Sequence, residues 1–225
     1  EEEEEDEDED DGKEEEEGKT AKTSIFQFPQ LILGVIALFM YVGVEVIAGD
    51  SIIAYGLSLG LPVSQAKWFT TFTLFAMVGT YALGVILIPK YLSQTTALRI
   101  SGVLGVVLSL VIVNTSGFTS VLLVASLGIA NALVWPAIWP LAIDGLGKFT
   151  KIGAAFLIMA ISGGAILVYL YGQLVDYLKE IYLAEGMEEV LATSQSANQG
   201  YWILLPCYVI ILFYAIKGHK IKSWS

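Results

Sequence analysis

Six apolar runs, each about 18 residues or longer, occupy roughly 29–59, 66–88, 98–115, 119–143, 152–176 and 199–216. A run of that length can satisfy its backbone polar groups inside a bilayer as a helix, so each is read as a membrane crossing. With 55% of the 225 residues apolar, a water-soluble domain of this size could not hide so much apolar surface. The fold class is therefore an all-α membrane protein with six transmembrane helices. At about 1.5 Å per residue the first run is about 45 Å long, so it must tilt or break, and Gly43, Gly49 and Gly56 offer places for a break. The last run is barely long enough to span. Pro62, Pro89 and the Asn114-Thr115-Ser116-Gly117 cluster mark turns, and 177–198 reads as the one long polar loop.

The net charge of −11 conceals two different segments. Residues 1–18 hold fifteen acids and one lysine, which leaves the rest of the chain at +3. So acidic and apolar-poor a run repels itself, and 1–24 is expected to be a disordered cytoplasmic segment ahead of a 25–220 six-helix lobe and a 221–225 cytoplasmic tail. It lacks the basic and apolar regions of a signal peptide. The first methionine, Met40, lies inside an apolar run, so the chain is expected to be a piece of a longer translated protein. With the acidic run in the cytoplasm, ten of the twelve Lys and Arg residues fall on the inner side and only Lys67 and Lys179 face outward. That asymmetry predicts cytoplasmic termini in a multi-pass protein of the plasma (inner) membrane.

Glu45 falls near the middle of the first run, where an ionised carboxylate is costly and marks an ion, proton or substrate route unless it serves as a protonated or hydrogen-bonded structural group. Tyr41, Ala48 and Ile52 share its helical face. Asp50 lies nearer the outer end and reads as a solvated or helix-end carboxylate. In the fourth run Asn131, Trp135 and Trp139 recur at intervals of four, with Pro136 and Pro140 each following a tryptophan. An amide and two indoles on one side of an interrupted helix suit a sugar: indole faces cover pyranose C–H patches and amides satisfy hydroxyls. Core filling, or an interfacial anchor in the case of Trp139, is the alternative. Ser162, Tyr169, Gln173 and Asp176 form one polar stripe on the fifth run, fit either to line a water-filled cavity or to hydrogen-bond between helices. Ser101, Gly105, Ser109 and the Gly163-Gly164 pair read as close-packing positions.

Other classes lack their parts. There is no Walker loop and no metal-ligand spacing, and the single histidine, His219, has no nucleophile beside it. Asp50 and Asp144 differ in depth by about 30 Å, which removes an aspartyl protease pair. Cys207 is a lone cysteine and reads as packing. No enzyme activity, cofactor, metal or nucleic-acid partner is expected.

FMYVGVEV (39–46) resembles the opening helix of the carboxy-terminal half of fucose and glucose/galactose permeases of the major facilitator superfamily. NALVWPAIWPLAIDGLGKFTKIGAAFLIMAISGGA (131–165) resembles the same family across its tenth and eleventh helices. The similarity covers about residues 25–220. It departs from the family at Gly79-Thr80, where an arginine often follows the glycine, and in the superfamily loop signature, reduced here to Gly84, Lys90 and Arg99. The resemblance implies a twelve-helix, proton-coupled sugar transporter of two lobes, working by alternating access, of which this chain supplies helices seven to twelve. A missing amino-terminal half, from the same longer chain or a separate one, would complete it, with sugar, protons and the lipid bilayer as the other partners. Within that frame Glu45, Asn131, Trp135, Trp139, Tyr41 and Gln173 are the expected substrate-binding residues and Glu45 is the proton-coupling candidate. A permease half for another small polar solute and a six-span scaffold without transport are the competing readings.

Overall fold

The computed structural model describes residues 22–88 and 90–224; the expectations for the acidic run and for a turn at Pro89 lie outside them. All regular structure among the described residues is helical, and six helical stretches are long and apolar enough to cross a membrane: Pro29–Ser58, Val63–Leu87, Gln94–Val113, Gly117–Ile143, Gly147–Ala184 and Glu189–Lys220. They correspond one for one to the six apolar runs and are called here the first to sixth spans.

The first span is the hub. It is one uninterrupted 30-residue helix, entered through Pro29 at its first turn, where a missing N–H costs nothing. It packs against the second, fourth, fifth and sixth spans. The expected break at a glycine does not occur. A helical glycine costs only about 1 kcal/mol, and two of the three are used for close approach: a Cβ at Gly43 would meet Leu167, and one at Gly56 would meet the Phe69 ring. Gly49 instead accepts a hydrogen bond from Thr70 Oγ1 through its carbonyl, at 2.6 Å. Length is thus left to be absorbed by tilt.

The glycine pair on the fifth span does what its spacing suggested. A Cβ at Gly163 would fall on the Phe39 carbonyl and one at Gly164 would press on Val46 and Val42, so the first and fifth spans cross in near backbone contact. Gly105 faces the Tyr208 ring in the same way, joining the third span to the sixth, while Ser109 returns its hydroxyl proton to the Gly105 carbonyl at 2.7 Å.

The long loop expected over 177–198 is absent. The fifth span continues as helix to Ala184, a turn follows with Gly186 at φ +86°, and Glu189–Gln199 forms a second, polar helix leading into the sixth span. Hydropathy hid this helix, because what it buries is small or polar: Ala192, Ser196, Ala197 and Asn198. Asn198 Nδ2 lies 2.9–3.1 Å from Tyr55 Oη, the Ile112 and Thr115 carbonyls and Ser120 Oγ. That one amide ties together the ends of the first, third, fourth and sixth spans.

At the opposite end Lys222 pairs with Asp144 at 2.7 Å, the Trp224 indole N–H donates to the Phe26 carbonyl at 2.7 Å, and Arg99 Nε donates to the Ala215 carbonyl at 3.1 Å. The first and last described residues therefore sit at one end of the bundle, as an even number of crossings requires. Asp50 is exposed and Asp144 is engaged with Lys222 at that end.

Candidate functional site

Proline creates the irregularity around which the candidate site is built. Pro136 has no N–H to give the carbonyl four residues earlier, and its ring crowds that carbonyl, so the helix Gly117–Asn131 ends and a new one, Val134–Ile143, begins after a turn at 132–133. The break lands beside Asn131. On the restarted helix Trp135 and Trp139 lie one turn apart with rings stacked, centroids 5.9 Å apart and 18° between planes. Together with Pro136, Pro140 and Ile158 of the fifth span they line an apolar cavity of about 390 Å³.

Tyr41 joins this group from the first span. Its ring meets Trp135 edge-on at 6.3 Å, and Glu45 lies one turn further along the same helix. Glu45 is half-buried and makes no ion pair among the described residues. Asn131 is buried to 1% exposure; its Oδ1 accepts the Tyr208 hydroxyl proton at 2.7 Å, whereas its Nδ2 has no partner. A buried amide N–H pair without an acceptor costs about 1–3 kcal/mol.

Five of the six residues anticipated from sequence, Tyr41, Glu45, Asn131, Trp135 and Trp139, thus gather where the first span passes the broken fourth one. Glu45 and Asn131 do not line the indole cavity itself. Ala48 and Ile52, on the Glu45 face by spacing, are wholly buried core. Gln173 is set apart: it stands with Ser162, Tyr169 and Asp176 on the exposed face of the fifth span, and no hydrogen bond ties it to the cluster. That face is the same one on which Ile158 reaches the indoles.

Sequence reading missed Tyr208, which is wholly buried in the sixth span and orients Asn131. The signal for it was a phenolic hydroxyl in mid-span, a group that must find a partner inside the bilayer.

The fold matches one half of a solved major facilitator superfamily transporter. It superposes on the crystal structure of the superfamily member FucP in the outward conformation with a TM-score of 0.70, at 22% identity, over 87% of this chain and 43% of that one. In sequence the chain is 30% identical over 204 residues to the glucose/galactose transporter of Brucella abortus, which covers 88% of this chain and 44% of the relative. It is 27% identical over 203 residues to the L-fucose-proton symporter of Haemophilus influenzae, covering 90% and 45%. The chain therefore spans about half the length of the curated relatives it matches, and it is a multi-pass membrane protein. No protein-family model matches it.

Proposed function

We propose that this chain is the carboxy-terminal half of a proton-coupled sugar transporter that takes up a glucose-, galactose- or fucose-like hexose by alternating access, and that it works with an amino-terminal six-helix half. The similarity to glucose/galactose and fucose transporters supports the substrate class. The observation that carries the site is the unpartnered, buried Nδ2 of Asn131, four residues before Trp135, whose indole stacks on that of Trp139. The indoles cover an apolar face of the sugar ring, and a sugar hydroxyl supplies the missing acceptor once movement of the lobes uncovers Nδ2. Tyr208 holds the Asn131 amide in the orientation that leaves Nδ2 free.

Glu45 is the proton-coupling candidate. It is the one carboxylate near the middle of a span, and the Tyr41 hydroxyl beside it can hydrogen-bond either protonation state. Gln173 and the stripe around it face the other half, across the path the sugar takes. The chain lies in the plasma (inner) membrane with both termini cytoplasmic, an arrangement supported by the excess of Lys and Arg at the end that holds the termini. The protein is a transporter half and not an enzyme.

Sugar-dependent quenching of tryptophan emission, followed by competition among hexoses, amino acids and organic acids, tests the reading. Saturable quenching by hexoses alone is the expected result. Selective quenching by another small polar solute would assign the half to a different permease, and no quenching by any solute would leave the scaffold reading.

A further inference from the structure

A second cavity, also of about 390 Å³, opens at the end of the lobe away from the termini, and it shares no lining residue with the indole cavity. Its walls are the end of the first span at Tyr55 and Leu59, the turn Asn114–Ser116 and the polar helix Glu189–Gln199. The volume falls within the range of about 300–1,000 Å³ usual for small-molecule sites.

The chemistry of this lining is selective. Among the described residues no charged side chain takes part in it. An ion entering it would lose water without gaining a counter-charge, whereas a neutral solute would not. The polar groups are amides and hydroxyls, which both donate and accept, and which match the mixed demands of a polyol. Gln195 makes no hydrogen bond among the described residues and is uncommitted. Tyr55 Oη, buried behind this wall, accepts from Asn198 at 3.0 Å. Leu59 and the exposed Leu191 add the apolar surface that a sugar ring needs.

The back wall is pre-organised. Asn198 is held by its four oxygen neighbours, Gln199 Nε2 donates to Asn198 Oδ1 and to the Val113 carbonyl at 2.9 Å each, and the Trp202 indole N–H donates to Gln199 Oε1 at 2.9 Å. A ligand that engages Gln199 or Asn198 therefore perturbs the indole of Trp202, which lies outside the cavity.

From these observations we infer that this cavity is a second binding site, specific for a neutral polyhydroxylated small molecule, at the end of the lobe where transported sugar arrives. Its ligand class is the one proposed above for the central site, and it rests on that reading. The cavity holds solute at the mouth of the transporter, between the first, third and sixth spans.

The test uses chain 1–225 with ¹⁵N-labelled indoles in lipid nanodiscs, titrated with D-glucose and D-galactose and, as charged controls, with gluconate and glucosamine. Single Trp→Phe substitutions assign the five indole resonances. The Trp202 resonance is expected to shift saturably with the neutral sugars and not with the charged analogues. Gln195→Ala should weaken that response about three- to tenfold, the equivalent of one neutral hydrogen bond. Gln195→Phe, which fills the cavity, should abolish it, and both variants should leave any Trp135 and Trp139 shifts unchanged. Movement of Trp135 and Trp139 with a still Trp202 overturns the second site and spares the central one; movement of Trp202 alone does the reverse. A Trp202 shift that ignores both Gln195 variants, or that the charged analogues reproduce, also overturns it.

Discussion

The hydroxyl of Tyr208 donates to Oδ1 of Asn131 at 2.7 Å, and Nδ2 of this fully buried amide is left without a partner. Asn131 comes from the broken fourth span and Tyr208 from the sixth, so the polarity of the candidate site depends on a contact between two helices and not on either alone. Tyr208→Phe removes the donor and frees the amide to flip. Loss of about 1–3 kcal/mol of stability is expected, the cost of one more unsatisfied buried group, read as a lowered midpoint in thermal unfolding followed by helical circular dichroism.

Asn131→Ala removes the amide altogether. In the complete transporter sugar affinity should fall about ten- to a hundredfold, equivalent to about 1–3 kcal/mol, with helical content unchanged. Trp135→Ala should act in the same direction by removing the apolar face. Equilibrium sugar binding to both variants checks the expectation, and unaltered affinity in both would remove them from the site.

Glu45→Gln keeps the volume and a hydrogen-bonding partner for Tyr41 but cannot exchange a proton. Sugar exchange across the membrane should persist, while accumulation driven by a pH gradient should be lost. Paired counterflow and uptake assays separate the two. Gradient-driven accumulation that survives the substitution would place coupling elsewhere.

The glycine contacts give a contrast within one lobe. Gly163→Ala puts a methyl on the Phe39 carbonyl, and overpacking of that kind costs about 1–3 kcal/mol. Gly49→Ala meets nothing within 4 Å and should be neutral or stabilise the helix by up to about 1 kcal/mol. The thermal midpoint of purified Gly163→Ala should therefore fall, while that of Gly49→Ala should hold or rise.

Orientation can be read by labelling Glu188→Cys with a membrane-impermeant maleimide. Cys207 is buried, so it contributes little background. The introduced thiol should react in intact cells. Reaction only after permeabilisation would invert the topology.

Much of this was legible in the residues. Six apolar runs became six spans, because a bilayer leaves a continuous apolar segment few alternatives to a helix. The break beside Asn131 was signalled by Pro136, since proline removes a specific hydrogen bond. Three features were not legible. Glu189–Gln199 looks like loop by hydropathy, and it is helical because Asn198 finds partners on three other spans, a tertiary fact. The first span remains unbroken despite three glycines, because two of them are filled by neighbours distant in sequence. Gln173 shares a polar stripe with its neighbours as its spacing implied, yet periodicity could not say that the stripe faces away from this lobe.

The proposal that this lobe is half of a sugar:proton symporter can be tested in liposomes holding the chain with and without an amino-terminal half. Glucose uptake driven by an imposed pH gradient is measured in each. Accumulation is expected only when both halves are present, because the proposed transporter binds sugar between two lobes that move against each other. Robust gradient-driven accumulation by residues 1–225 alone, or none when both halves are assembled and folded, would contradict it.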